Sequence, residues 1–142
     1  MRTISLMCLL LLTTATSAVA GSYNYVGKKE FKGWLTAGKS MVIVDIQEKD
    51  AFAKHHFPGS IETNAFPVKT DAQRRSIDPA VVKAKANMAD DVIVVCPRGG
   101  GGAKRCYDYL RQQGVADSRL YILKGGVDKW PHRAMLEKES GS

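Results

Sequence analysis

The run Val92-Ile93-Val94-Val95 limits this chain more than any other stretch. Four consecutive β-branched residues suit a strand buried on both faces. Such strands belong to parallel sheets covered by helices on each side. Cys96, Pro97, Arg98 and four glycines, Gly99, Gly100, Gly101 and Gly102, follow directly. Residues 103–113 then carry Cys106, Tyr107 and Leu110 at helical spacing, and Gly114 supplies a helix stop. A cysteine at the carboxyl end of a parallel strand stands where open α/β sheets hold their ligands. A helix starting just beyond it directs unpaired N–H groups and a partial positive charge back at the sulfur. Glycines let further backbone N–H groups turn inward. Read together, these residues form an anion cradle around a nucleophilic Cys96. A buried cysteine ahead of an ordinary glycine-rich turn is the plainer alternative.

The remaining chain repeats an alternation of strand and helix patterns. Residues 23–26 read as a short edge strand, residues 28–36 as a helix with Phe31, Trp34 and Leu35 inward, and residues 41–46 as a second buried strand. Asp45 closes that strand and is expected to accept hydrogen bonds from loop N–H groups. Residues 48–55 read as a short helix, and His55-His56-Phe57-Pro58-Gly59-Ser60 as its end and a turn. Adjacent histidines at a helix end point apart, so His56 is assigned a structural role in the loop. Residues 65–77 read as loop with one helical turn. Asp78-Pro79 suits an N-cap followed by a first helical residue, with the helix continuing to residue 88. Residues 120–123 form another strand, and Gly125-Gly126 turns the chain into a short helix ending at Trp130-Pro131. This alternation predicts an α/β fold, a parallel sheet with right-handed connections and helices on both faces.

With 142 residues there is room for one domain. Residues 1–20 read as a secretory signal peptide: Arg2, an apolar run over residues 4–12, and Ala18-Val19-Ala20 as the cleavage pattern before Gly21. The apolar run is too short to span a bilayer comfortably, which predicts cleavage and no stable membrane insertion afterwards. The domain is placed at residues 21–135, with a polar, frayed tail at residues 136–142. Removing Arg2 leaves 20 basic and 14 acidic residues, a net charge of +6. The basic residues are scattered, without a block or an aromatic-interleaved stripe. That pattern points to small anions and away from nucleic acid. Cys96 and Cys106 are separated by a strand end and a helical turn, a poor arrangement for a disulfide. The two cysteines that remain once the leader with Cys8 is removed, together with three histidines, give no zinc spacing, so no metal is expected.

Four motifs, in order, resemble the single-domain rhodaneses. Val44-Asp45-Ile46-Gln47-Glu48 is similar to that family's Asp-Val-Arg-Glu segment, and His55-His56-Phe57-Pro58-Gly59-Ser60-Ile61 to its Gly-His-Ile-Pro-Gly-Ala-Ile segment. Cys96 stands where the family's persulfide-forming cysteine begins the active-site loop. Leu123-Lys124-Gly125-Gly126-Val127-Asp128-Lys129-Trp130 matches its closing motif. The resemblance implies a five-stranded parallel sheet with helices on both faces and no cofactor. It also implies sulfane sulfur transfer through a persulfide on Cys96, from a small anionic donor such as thiosulfate or polysulfide. The acceptor would be a thiol, cyanide or a sulfur-accepting protein. The expected donor-binding residues are Arg98, Gly99, Gly100, Gly101, Gly102, Ala103, Lys104 and Arg105, with Arg98 foremost. Asp45 and His56 are expected as structural support. With the leader, the resemblance describes an exported protein, periplasmic or secreted.

Two positions depart from the pattern. Gln47 replaces the usual arginine, so the polar network at that strand end must differ. The cysteine loop is one residue longer than usual. The related phosphatases and arsenate reductases grip an oxyanion with an arginine six residues after the cysteine, and here that position is Gly102. An arginine introduced at 102 is expected to restore some grip if the backbone there accepts a side chain. Two alternatives stand beside sulfur transfer: a phosphatase or arsenate reductase of the same fold, against which Gly102 argues, and a non-catalytic sulfur carrier or redox-partner module, because four glycines lose much entropy on ordering.

Overall fold

The computed structural model describes residues 22–140. The leader and its cleavage position before Gly21 lie outside the described residues. Five strands are described: β1 (Tyr25–Val26), β2 (Met41–Asp45), β3 (Ile61–Glu62), β4 (Asp91–Val95) and β5 (Leu120–Leu123). They form a single sheet in the order β1-β5-β4-β2-β3, with every pairing parallel. The helices are α1 (Lys28–Thr36), α2 (Lys49–Lys54), α3 (Asp71–Arg75), α4 (Asp78–Ala86) and α5 (Gly101–Gln112). None of the described helices is long and apolar enough to cross a membrane.

Alternation along the strands divides the core in two. Val42, Val44, Val92, Val94, Leu120 and Ile122 pack with Ala80, Val81 and Ala84 of α4 and with Ala103, Cys106, Tyr107 and Leu110 of α5. Ile43, Ile93, Val95 and Leu123 pack with Phe31 of α1 and with Phe57, Val127 and Trp130. Both faces are therefore covered, which is why β2 and β4 read as continuous apolar runs. Trp130, Phe31 and Phe57 meet edge to face, with ring centroids 5.0–5.7 Å apart. Such pairs add about 0.5–1.5 kcal/mol each beyond their burial.

The connection out of β2 runs toward one edge of the sheet and the connection out of β4 toward the other. The crevice between their carboxyl ends is the place where such sheets bind ligands. Asp45 and Cys96 stand on its two sides.

Several boundaries differ from the sequence expectation. The helix after the glycines starts at Gly101, two residues early, because Gly101 and Gly102 supply its first turn. α4 is capped by Ile77, and Asp78 lies in the first turn, where its carboxylate accepts the Tyr109 hydroxyl at 2.6 Å. Residues 124–129 form successive turns and no helix. Their N–H groups are drawn to the cysteine loop: Val127 N donates to the Cys96 carbonyl (3.0 Å) and Asp128 N to that of Pro97 (2.9 Å). The segment after residue 135 is not frayed where it is described. Glu137 exchanges backbone hydrogen bonds with His56 at 2.8 and 3.1 Å, and Glu139 N donates to the Ala53 carbonyl at 2.9 Å.

Candidate active site

Cys96 follows the last residue of β4 and is 2% exposed. Its Sγ accepts the Gly99 N–H at 2.8 Å. Gly99 can make this bond because its φ is +71°, a left-handed conformation open to glycine. A Cβ at Gly99 would also stand 2.9 Å from Gly125 N and from the Leu123 carbonyl oxygen, so the loop leans on the turn after β5. The first N–H groups of α5, through Ala103, have no acceptor inside the helix. The first bond closing that turn is Lys104 N to the Gly100 carbonyl, 3.1 Å. A sulfur anion at Cys96 thus meets one donated N–H in place and the open N-terminal turn of a 12-residue helix.

Cys96 opens into a cleft of about 610 Å³. Phe66, Pro67 and Pro97 give it apolar walls; Gly100, Gly101 and Gly102 give it backbone; Lys69, Arg98, Arg105 and Asp128 give it charge. A second cleft of about 560 Å³ is bordered by Leu35, Met41, Ile43 and Pro58, and none of its lining residues is a cysteine or histidine. Among the described residues, no three His, Cys, Asp or Glu side chains gather as a metal site.

The expected donor-binding residues separate in space. Arg98 stands at the cleft mouth, its side chain 87% exposed and its Nε 3.7 Å from the Asp128 carboxylate. Lys104 is not in the cleft wall; its ammonium lies 5.5 Å from the centroid of the Tyr23 ring. Arg105 is in the wall, its Nε donating to the Pro67 carbonyl at 2.9 Å. Gly102 is pressed against the opposite loop: a Cβ there would stand 2.9 Å from two Phe66 ring carbons and 3.4 Å from Ile46 Cδ1. Its backbone is helical, so space and not conformation requires glycine. Ala103 is buried in the core beneath the loop. Phe66, Pro67, Lys69 and Asp128 were not anticipated as site residues. They come from an irregular loop and a turn, where no periodicity marks which side chains face inward.

Asp45 is fully buried on the other side of the crevice. Its carboxylate accepts the Gln47 N–H at 2.9 Å and the Gln47 side-chain amide at 3.0 Å. That amide also donates to the His55 carbonyl at 2.9 Å, tying strand end to helix end. His56 stacks on Phe52, its Nδ1 2.9 Å from the Phe52 carbonyl. Here a neutral amide serves Asp45 where a guanidinium would carry charge. Burial pushes the Asp45 carboxyl up to about 6, against the pull of the two Gln47 hydrogen bonds and of His56.

The sign of this shift gives a prediction. The folded state holds the Asp45 proton more tightly than the unfolded chain, so this group's contribution to stability falls as pH rises through the interval from about 4 to about 6. Compared with the wild type, Asp45→Asn should therefore gain roughly 2–3 kcal/mol in relative stability between about pH 4 and pH 7. Urea denaturation of both proteins across that range measures it. A difference independent of pH would show that Asp45 ionises as an ordinary carboxylate.

Comparison with known proteins fits this geometry. Residues 28–132 match the rhodanese-like domain family, and the chain belongs to that family. No curated protein matches it. Among solved structures, a rhodanese-like domain protein from Staphylococcus aureus is 21% identical and superposes with a TM-score of 0.60, covering 82% of this chain and 99% of that one. The As/Sb reductase of Leishmania major is 14% identical, with a TM-score of 0.64 and coverages of 84% and 88%. A yeast protein tyrosine phosphatase of the rhodanese family is 17% identical, with a TM-score of 0.59 and coverages of 78% and 85%. At these identities the likeness establishes the fold, and the fold hosts more than one chemistry.

Proposed function

We propose that this protein is a sulfurtransferase that carries sulfane sulfur as a persulfide on Cys96. The observation behind this reading is the Gly99 N–H on Sγ at 2.8 Å, at the inner end of a cleft bearing three cations and one carboxylate. A thiolate is the required nucleophile. It attacks the outer sulfur of thiosulfate or polysulfide; the donor's S–S bond breaks, and sulfite or a shortened polysulfide leaves with the electron pair. Backbone N–H groups of the loop hold the resulting persulfide anion. A thiol, a sulfur-accepting protein or cyanide then attacks the outer sulfur, and the Cys96 thiolate is regenerated. This is two-stage covalent catalysis. The leader pattern of residues 1–20 supports an exported, periplasmic or secreted, site of action. N-terminal sequencing of exported material should then begin within a residue or two of Gly21; an intact Met1 would argue for retention.

Phosphoryl or arsenate chemistry asks more of the loop, because charge on several oxygens must be held together by a planar guanidinium. Where the related enzymes place that arginine this chain has Gly102, and Phe66 with Ile46 occupies the space a side chain there would need. The deciding experiment supplies thiosulfate plus cyanide, polysulfide plus cyanide, and an aryl phosphate to the mature protein. Thiocyanate should form with at least one sulfur donor, and phosphate release should stay at background. Robust phosphate release without thiocyanate would overturn the proposal. Gly102→Arg should not gain phosphatase activity. Forcing a side chain against Phe66 should instead lower stability, by about 1–3 kcal/mol on the overpacking scale, in urea denaturation.

A further inference from the structure

We infer that Arg105 is the residue that selects the sulfur donor, by gripping an oxyanion head, and that Gly101 is glycine so that Arg105 can fold back to do so. The inference rests on the sulfur-transfer reading for the identity of its ligand. Three cations line the Cys96 cleft, and their surroundings differ. Arg98 is 87% exposed, with its Nε facing Asp128. Lys69 is an exposed point charge on a loop. Arg105 alone of the three is anchored by a hydrogen bond: its Nε donates to the Pro67 carbonyl at 2.9 Å, which turns the guanidinium toward the cleft wall. Among the described residues, Nη1 and Nη2 have no hydrogen-bond or ion-pair partner.

The side chain reaches this position by curling over the first turn of its own helix. A Cβ at Gly101, one turn earlier, would stand 3.0 Å from Nη1, 3.5 Å from Nη2 and 3.6 Å from Cζ. The guanidinium therefore lies against the bare Cα of Gly101, beside the cysteine loop. Two parallel N–H donors match two oxygens of a sulfonate-type head in a way an ammonium does not. Thiosulfate and organic thiosulfonates carry such a head, whereas polysulfide carries no oxygen. When Cys96 attacks the outer sulfur, the charge of the departing sulfite or sulfinate develops on those same oxygens. Arg105 then binds both the donor and its leaving group.

Two measurements test this. Thiosulfate binding to Cys96→Ser, in which no sulfur can be transferred, is followed by NMR titration in the presence and absence of Arg105→Gln, Arg98→Gln and Gly101→Ala. Arg105→Gln should weaken binding about tenfold or more, and Arg98→Gln less than about threefold, since a lost hydrogen bond to a charged group is the larger effect. Gly101→Ala keeps every charge and favours the helix, yet should weaken binding by displacing Nη1. In proteins that retain Cys96, Arg105→Gln should lower kcat/KM for thiosulfate about tenfold and for polysulfide less than about threefold. Equal losses with both donors, an Arg98→Gln effect as large as that of Arg105→Gln, or absence of thiosulfate binding to Cys96→Ser would each overturn the assignment. If thiosulfate binds and Arg105→Gln abolishes binding, yet the wild type forms no thiocyanate from either donor, sulfur transfer fails and the oxyanion site stands.

Discussion

Cys96→Ser should abolish sulfur transfer while leaving the fold intact. The hydroxyl is close in size to the thiol, and Gly99 N can still donate to it, so the loop keeps its shape. What is lost is the nucleophile, and with it any path through a persulfide. Turnover of either donor should fall on the order of a thousandfold or more, as expected when the attacking atom of a covalent mechanism is removed. Intact-mass measurement gives the direct readout. Wild-type protein treated with polysulfide should gain one sulfur atom that cyanide removes, and Cys96→Ser should gain none. Cys106 is the internal control. It is fully buried on the inner face of α5, and burial pushes its thiol well above the ordinary range, so it is not a thiolate near neutral pH. Cys106→Ala should change turnover less than about tenfold, an effect of a small cavity near the loop and not of lost chemistry. Sulfur mapped to Cys106 would move the nucleophile there.

The largest effect on stability is expected at Gly126. This residue has φ +62°, and a Cβ there would collide with the carbonyl oxygens of Cys96 and Pro97. Those atoms are backbone, held in place by Val127 N and Asp128 N, so they cannot swing aside as a side-chain tip could. Gly126→Ala therefore combines a left-handed conformation costly for alanine with a clash that must displace the cysteine loop. Each effect costs about 1–3 kcal/mol, and they act together. Urea denaturation should show a loss of about 3–5 kcal/mol, a large share of a small domain's stability. Any folded fraction should be a poor sulfur acceptor, because displacing the Cys96 carbonyl moves the sulfur away from Gly99 N. Gly38→Ala provides the contrast. Its φ is +65°, but a Cβ there meets nothing within 4 Å, so only the conformational part of the cost remains. Similar losses at both positions would show that the contact with the cysteine loop contributes little.

Local chemistry carried much of this protein in readable form. Residues 92–95 and 42–44 announce strands covered on both faces, because β-branched residues in a row leave no side for water. The α1 span, Lys28–Thr36, was legible from aromatic spacing and a glycine stop. Asp45 could be assigned as an acceptor of loop N–H groups because a carboxylate at a buried strand end must find donors nearby. Cys96, following β4 and preceding a glycine run, marks the candidate site because strand-end position and helix start are both encoded in adjacent residues.

Tertiary structure decided the rest, wherever the partner of a group is distant in sequence. The turns over residues 124–129 contain helix-compatible residues, but their N–H groups satisfy the carbonyls of Cys96 and Pro97, and that competition is invisible locally. Gly102 reads as loop flexibility in sequence; in space it is a contact surface for Phe66. The cations divide the same way. Arg98, nearest the cysteine in the chain, turns outward to Asp128, while Arg105 is drawn inward by a carbonyl 38 residues away. A long side chain's direction is set by whichever acceptor the fold brings within reach, so sequence could nominate the charges around Cys96, and only the packing of α5 against the 66–67 loop could choose among them.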